Sequence, residues 1–254
     1  MAFEFYRLDD AVEQESNYTA LLYCAPGVGK STAIGLIAEA SDGNTLVLDV
    51  DRTITKTLAK KEVVKDTSRI LVAPIENRGK SAELGIDGTF ASWTRFLNDL
   101  TPEFIAENNI RTIAVDNISE LERCILSDLG AQGKNKGVPA QADYQYMQFK
   151  LVNSLRYMKS LGVNVVWTAW ETVSDFVNPD GTSYSRIVPK MSLKIVDNIC
   201  GLCDVVGKIL VNKEGQHGIL LEATQNIYAK NQIDDRKACR VEDFVKFKRR
   251  KDDE

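Results

Sequence analysis

Hydrophobic and polar positions along this chain form short segments whose periods predict strands and helices in alternation. Continuous apolar, β-type runs predict strands at 3–8, 18–23, 45–50, 69–74, 110–115 and 163–168. Segments with apolar positions at helical spacing predict helices at 31–40, 54–63, 90–100, 118–129, 143–161 and 191–202. The aromatic stripe at 90–100 is interpreted as core. Strands that alternate with helices predict an α/β fold built on a parallel sheet.

The pattern changes after about residue 170, where strands outnumber helices and the regular alternation ends. The turn sequence Asn178-Pro179-Asp180-Gly181 separates apolar runs at 173–177 and 184–188, which predicts a hairpin. Runs at 204–211 and 217–223 predict a terminal antiparallel pair, and His217 is expected to be solvated in its turn. We therefore expect one domain over 1–245 with an antiparallel C-terminal extension, and a charged, disordered tail at 246–254.

Composition narrows the class of protein. The chain has 254 residues, of which 44% are hydrophobic and 27% are charged, as in a globular domain. Its apolar runs fall short of the ~18 residues of a membrane helix, and no segment resembles a signal peptide. A cytoplasmic location without a membrane partner is the expectation. The formal net charge of −4 argues against a uniformly basic nucleic-acid protein but permits local basic loops.

The cysteines and the histidine count limit metal chemistry. Five cysteines are scattered along the chain, which does not indicate a disulfide framework. Cys200 and Cys203 have the spacing of metal ligands, but the chain has no second such pair and one histidine. A closed zinc site is therefore hard to assemble, and core thiols are the simpler interpretation.

Residues 24–31, Cys-Ala-Pro-Gly-Val-Gly-Lys-Ser, join the strand at 18–23 to the helix at 31–40. Their spacing matches the phosphate-binding P-loop, except that Cys24 stands where the first glycine belongs. Lys30 is predicted to bind the β- and γ-phosphates, and Ser31 to bind Mg²⁺. The residues expected to surround the nucleotide are Ala25, Pro26, Gly27, Val28, Gly29, Lys30, Ser31 and Thr32.

Two aspartates follow predicted strands and are candidates for the chemistry beside the P-loop. Asp116 ends the strand at 110–115, where a carboxylate can hold the Mg²⁺ shell. The alternative is that Asp116 caps the next helix. Asp51 follows the strand at 45–50, and the corresponding alternative is an acidic turn that caps the next helix.

The P-loop, Asp51, Asp116 and the strand at 163–170 together resemble the RecA-type ATPase core. Within it, the chain is similar to phage AAA-type nucleotide-binding proteins that include the Sak-type single-strand annealing ATPases. The resemblance covers about 19–236 and implies a RecA-like P-loop fold with ATP and Mg²⁺ as cofactors. In those relatives a glutamate at the position of Asp51 activates the attacking water. The shorter Asp51 implies the same role with slower turnover, and Thr168 is implied as a γ-phosphate sensor.

The same resemblance implies single-stranded DNA as a partner. Two segments fall where RecA-type proteins place DNA-contacting loops: 130–141, with Lys134 and Lys136, and 173–188, with Tyr184 and Arg186. Lysines and an aromatic side chain there can hold phosphates and bases. By sequence alone both segments are equally well interpreted as solvated loops.

A homo-oligomer is also implied, because oligomeric ATPases of this kind reach across the subunit interface with a cation. Lys230 and Arg236 are the candidates for a cation that contacts the γ-phosphate of a neighbouring subunit. The alternative is that they form surface ion pairs with Asp234 and Asp235.

These expectations combine into one predicted function with alternatives. The chain is predicted to be an Mg²⁺-dependent ATPase that uses Lys30, Asp51 and Asp116 for catalysis. It is expected to act on single-stranded DNA in phage recombination or replication. The alternatives are an AAA-type motor or loader that acts on protein partners, a nucleotide switch that barely hydrolyses, and a small-molecule kinase. The kinase is disfavoured because the sequence lacks an arginine cluster for a lid.

Overall fold

The protein is described by a computed structural model that covers residues 17–60, 63–75 and 88–247. The strands in these ranges are β1 Thr19–Cys24, β2 Asn44–Asp49, β3 Ile70–Pro74, β4 Ile110–Asp116, β5 Asn164–Val177, β6 Ser183–Pro189, β7 Val205–Val211, β8 His217–Leu220, β9 Lys230–Asn231 and β10 Ala238–Arg240. The helices are α1 Lys30–Glu39, α2 Ile54–Leu58, α3 Thr89–Asp99, α4 Pro102–Glu107, α5 Ile118–Gln132, α6 Gln141–Ser160 and α7 Leu193–Leu202, and a 3-10 turn follows at Val241–Asp243. The strand predicted at 3–8 and most of the predicted tail lie outside the described residues.

The strands form one mostly parallel sheet, in the order β10-β8-β7-β1-β5-β4-β2-β3, with β6 paired to β5 and β9 paired to β7. The six strands from β7 to β3 in this order are parallel to one another. The pairings of β6, β8, β9 and β10 are antiparallel. This topology confirms the predicted α/β P-loop fold with an antiparallel C-terminal extension, and it places β5 between β1 and β4.

Helices cover both faces of the sheet, which explains why its central strands are apolar at nearly every position. Successive side chains of a strand point to opposite faces. Val115 and Trp167 therefore belong to the core cluster beneath α3, α5, α6 and α7. Ala114 and Val166 belong to the cluster beneath α1 and α2. The sheet is thus buried in its centre, and its strand ends are the positions open to a ligand.

The aromatic stripe of α3 is part of the core. Trp93 is fully buried, and its ring meets that of Trp167 edge-on with centroids 6.4 Å apart. The indole Nε1 of Trp93 donates to Ser154 Oγ at 3.2 Å, which satisfies the polar end of the ring. The core interpretation of this stripe is confirmed.

Several predicted elements are wrong, among them the helix predicted at 54–63, which ends at Leu58. Helix α4 was missed, although Thr101 caps it by accepting from Phe104 N at 3.2 Å and Pro102 occupies its first turn, both common start signals. The loop predicted from Gly130 begins later, because α5 continues to Gln132. The strands predicted at 163–168 and 173–177 are one strand, β5, because β6 pairs with it where β1 ends.

The longest helix in the described ranges, α6, has 20 residues and is polar on one side. Leu151 and Leu155 are buried against the core, whereas Lys150 and Arg156 lie on the outer side. None of the helices in the described part of the chain is both long and apolar enough to cross a membrane.

Candidate functional site

The carboxyl ends of β1, β2 and β4 lie at one edge of the sheet, which β5 crosses at Thr168, and the predicted site residues Asp116 and Thr168 meet there. Asp49 at the end of β2 is opposite Asp116 at the end of β4. Val115 is opposite Trp167, which places Thr168 of β5 beside Asp116. In open α/β sheets this edge is where ligands bind, so the topology alone singles out these residues.

The P-loop connects β1 to α1 at this edge. Gly29 has φ = 123°, a conformation that only glycine adopts without strain. Helix α1 begins at Lys30 without a side-chain cap from the described residues. The amides of its first turn are therefore available to an anion, which the positive end of the helix dipole also attracts.

Lys30 is buried without a direct hydrogen-bond or ion-pair partner among the described residues. The residue is only 7% exposed, and its ammonium forms no hydrogen bond or ion pair within the described ranges. An unpaired buried charge is costly unless a ligand supplies its partner. A polyphosphate bound by the P-loop amides would supply that partner, so this side chain fits a nucleotide.

Asp116 is held on both carboxylate oxygens. Ser31 Oγ donates to Oδ2 at 2.5 Å, and Thr168 Oγ1 donates to Oδ1 at 2.7 Å. A hydroxyl and a carboxylate are the oxygen ligands that Mg²⁺ prefers. Among the described residues, no three His, Cys, Asp or Glu side chains gather where they could hold a metal by themselves. Ser31 and Asp116 therefore fit an Mg²⁺ ion whose remaining ligands are phosphate and water.

Neither Asp116 nor Asp51 caps a helix, so the capping alternatives are wrong. Asn117 caps α5, because its Oδ1 accepts from Glu120 N at 3.0 Å. Asp49 caps the turn into α2, because its carboxylate accepts from Thr53 N at 3.0 Å and from Ile54 N. The carboxylates of Asp116 and Asp51 therefore do not serve as helix caps and are available to the candidate site.

Asp51 lies in an environment that favours its protonated form. Burial and the neighbouring carboxylates of Asp116 and Glu120 raise the pKa of Asp51 to about 7, although Lys30 acts in the opposite direction. Asn117 Nδ2 donates to Asp51 Oδ2 at 2.5 Å. A carboxyl group whose pKa lies near neutral pH can both accept and release a proton, as a general base must.

His217 is a site residue that the sequence did not assign. It begins β8 opposite Val211, and its ring lies against the P-loop, so that a Cβ added to Gly29 would be 2.3 Å from its Cε1. The expected solvated turn position is wrong, since the side chain is half-buried and burial lowers its pKa. Its Nδ1 is buried and has no hydrogen-bond partner in the described residues.

A cavity of about 600 Å³ opens beside the P-loop. Its size lies within the range of small-molecule sites, roughly 300–1,000 Å³. Thr32 and His217 line it together with α2 and the residues that follow this helix. The full set of lining residues is Gly27, Gly29, Thr32, Thr53, Lys56, Thr57, Leu58, Lys60, Val63, Val64 and His217.

Comparison with known protein families agrees with this geometry. The sequence matches the AAA domain family over residues 16–233. The chain belongs to the AAA domain family. No curated protein matches the chain. The family is of the P-loop NTPase type, which accounts for the sheet topology and for Lys30 and Ser31 at the start of α1.

The candidate DNA residues of this AAA domain lie in two separate segments. The hairpin of β5 and β6 extends beyond the Cys24–Trp170 pair and carries Tyr184 and Arg186. Phe176 stacks on Tyr184 with centroids 5.6 Å apart, and the Arg186 guanidinium lies 5.8 Å from the Tyr184 ring centroid. Lys134 and Lys136 are exposed between α5 and α6 and form no ion pair within the described ranges.

Lys230 and Arg236 of the AAA domain are not at its own P-loop. Lys230 pairs with Val206 near the start of β7, at the opposite edge of the sheet. Its Nζ donates to the carbonyls of Cys200, Gly201 and Cys203 at the end of α7. Arg236 forms the alternative's ion pair with Asp234 at 2.6 Å, but the pair is largely buried and not on the surface. The described residues give Lys230 no such ion pair. A role across a subunit interface stays a prediction for both.

Proposed function

We propose that this AAA domain is an Mg²⁺-dependent ATPase that converts ATP to ADP and phosphate. The proposal rests on Lys30, whose buried ammonium has no protein partner in the described residues. It stands at the start of an uncapped helix, next to Ser31, which contacts Asp116. A triphosphate with Mg²⁺ would give each of these groups a partner: the phosphates for Lys30 and the helix amides, and the ion for Ser31 and Asp116.

Each site residue has one role in this reaction. Lys30 and the amides of the P-loop bind the phosphates, and Ser31 and Asp116 hold the ion. When bound, Mg²⁺ neutralises negative charge on the phosphates. Thr168, which the resemblance implies as a γ-phosphate sensor, fixes the orientation of Asp116 by its hydrogen bond. Asp51 takes the proton of the water that attacks the γ-phosphorus, and the bond from that phosphorus to ADP breaks.

The cavity beside the P-loop is proposed to take the nucleoside part of ATP. Thr32 follows Ser31 and lines this cavity, so a phosphate chain bound by the P-loop is continuous with it. The apolar walls formed by Leu58 and Val64 suit a base, and the His217 imidazole offers a flat face and a nitrogen.

Replacement of His217 by alanine is expected to weaken ATP but not inorganic tripolyphosphate. The nucleoside loses one side-chain contact of ~1 kcal/mol, which corresponds to roughly 5–10-fold in affinity. Tripolyphosphate lacks the nucleoside and should bind as before. Calorimetric titration of both ligands with Mg²⁺ measures the difference. An equal loss for both ligands would show that His217 acts on the P-loop itself.

Single-stranded DNA is proposed as the partner of the hairpin and of the lysine loop. The stacked Phe176 and Tyr184 provide a surface for bases, and Arg186 provides a cation at its edge. Lys134 and Lys136 would neutralise phosphates. With the resemblance to phage annealing ATPases, these features support a homo-oligomer that acts in DNA recombination or replication. In it, Lys230 would have to exchange its carbonyl partners for a neighbour's phosphate.

The salt dependence of oligonucleotide binding tests the DNA proposal. Replacing both Lys134 and Lys136 by alanine should make the slope of log affinity against log salt shallower by about 1.4, since each single-strand phosphate contact contributes about 0.7. Lys246→Ala is the matched control, because this exposed lysine pairs with Asp243, and the adjacent Phe247 packs on Tyr18 before the start of β1, at the opposite edge of the sheet from the hairpin. Absence of binding even at low salt would contradict direct DNA contact.

One observation favours the alternative of an AAA domain that acts on protein partners. Helix α6 exposes Phe149, which is 70% accessible, between Tyr146 and Tyr157. These residues and Leu97 line a groove of about 520 Å³. Exposed apolar surface of this kind is typical of protein contacts. The same oligonucleotide titration separates the two functions, because this alternative requires no DNA binding.

A further inference from the structure

Asn117 is buried between Asp51 and the first turn of α5, and the two polar atoms of its side chain have different partners. The residue is 0% exposed. Its Oδ1 accepts from Glu120 N at 3.0 Å, and its Nδ2 donates to Asp51 Oδ2 at 2.5 Å. The same side chain therefore joins the start of α5 to the turn that follows β2.

The helix start determines which way the amide of Asn117 faces. The two orientations of an asparagine amide are hard to distinguish by shape, so the hydrogen-bond partners decide. The backbone N–H of Glu120 needs an acceptor, and the only acceptor on the amide is Oδ1. The amino group must then face Asp51, to which it can only donate.

This arrangement leaves the two oxygens of Asp51 in different states. Oδ2 is held by the amino group of Asn117. Oδ1 accepts no hydrogen bond from the described residues, so it remains free to accept a proton. A donor fixed on one oxygen also favours the ionised form of a carboxyl group, against the effect of burial.

We propose that Asn117 is a positioning residue that holds Asp51 by one oxygen and thereby directs the other oxygen to the attacking water. The inference rests on the proposed ATPase function. As the bond between the water oxygen and the γ-phosphorus forms, Oδ1 of Asp51 takes the proton and ADP leaves with the electron pair of the broken bond. Asn117 itself gains and loses no proton, and it touches neither ATP nor Mg²⁺.

Two substitutions separate this role from helix capping. Asn117→Ser and Asn117→Asp both keep a good capping acceptor, but neither places an amide donor on Asp51. We expect Asn117→Ser to lower kcat about 10–100-fold with KM and the MgATP dissociation constant within about 3-fold of the parent. The expected loss for Asn117→Asp is larger, since two carboxylates would then face each other. Asn198→Ser, at an exposed asparagine of α7, is the control and should change nothing.

A double-mutant cycle with Asp51→Ala decides whether Asn117 acts through Asp51. In the Asp51→Ala background, Asn117→Ser should cost no further activity, because contacting residues are not additive. Urea unfolding of the nucleotide-free protein provides a second cycle that does not depend on hydrolysis. The changes in the free energy of unfolding caused by the two substitutions should also be non-additive. Asn117→Asp has nearly the same shape as the parent and replaces the serine variant if that variant fails to fold.

Three results would overturn the inference: an unchanged kcat for Asn117→Ser, an equal loss in the Asp51→Ala background, or additive unfolding energies. Failure of the ATPase proposal looks different. In that case the parent protein binds MgATP but releases no phosphate, while the unfolding cycle still shows whether Asn117 and Asp51 interact. Non-additive unfolding without hydrolysis would keep the contact and reject its catalytic role.

Discussion

Lys30→Ala will abolish nucleotide binding while the protein stays folded. Its ammonium is the buried cation nearest the proposed phosphates, and it has no protein partner in the described residues whose loss would destabilise the chain. A charge-assisted contact in such a site contributes about 3 kcal/mol, so the affinity for MgATP should fall at least about 100-fold. Phosphate release should fall to background.

The measurement for Lys30→Ala needs a fold control and a charge control. Circular dichroism and thermal unfolding without nucleotide should match the parent protein, or show slightly higher stability, since an unpaired buried charge is removed. Lys237→Ala removes an exposed lysine and should leave binding intact. If the alanine variant at position 30 is folded and binds MgATP as tightly as the parent, the nucleotide site lies elsewhere.

Asp51→Asn is expected to lower kcat by about 10²–10⁴-fold, the usual contribution of a general base. The affinity for MgATP should change only a few-fold, because Asp51 faces the water and not the phosphates. Pre-steady-state phosphate release together with nucleotide titration separates the two effects. Asp51→Glu lengthens the side chain by one methylene, and a large gain in turnover would show that the natural aspartate limits the rate. Equal turnover of the parent and Asp51→Asn would exclude Asp51 as the base.

The raised pKa of Asp51 gives this prediction a pH dependence. The base is active when ionised, so the rate of the parent should rise with pH up to about 7 and then level. Bound Mg²⁺ favours the ionised form and moves this rise to lower pH. The effect of Asp51 on stability changes with pH in the opposite direction to its effect on the rate. The folded-state pKa lies above the unfolded value of 3.8, so this group's contribution to the free energy of unfolding is full below that value and lost as pH rises through about 7. Asp51→Asn should remove both dependences.

Local sequence made the arrangement of the P-loop and Asp116 predictable. The motif of Gly29, Lys30 and Ser31 lies within one strand–helix turn, and Asp116 ends a strand that is buried at every position except Arg111. Parallel topology then brings these segments to one edge. The sequence could not decide whether Asp116 and Asp51 cap the helices that follow them. The backbone angles of single residues determine which side chain reaches the first amides of a helix. The structure gives those roles to Asn117 and Asp49.

The position of His217 in the cavity beside the P-loop depends on contacts between distant segments. His217 reaches Gly29 only because β8 follows β7 antiparallel, two strands away from β1. No feature of the turn around His217 signals this approach. The partners of Lys230 were hidden for a similar reason, since the carbonyls it contacts belong to the end of a helix 30 residues earlier in the chain.

Strand β5 runs without a break from the sheet into the hairpin, so it connects the candidate site to the hairpin directly. Its buried half carries Thr168, which holds Asp116, and its outer half is one arm of the hairpin that bears Phe176. A hydrogen-bonded strand resists bending, so a tilt of the hairpin displaces the Thr168 hydroxyl as well. If Asp116 holds Mg²⁺ as proposed, a molecule bound to the outer arm would alter the ligands of that ion. A bound nucleotide would in turn alter the angle at which the hairpin contacts that molecule.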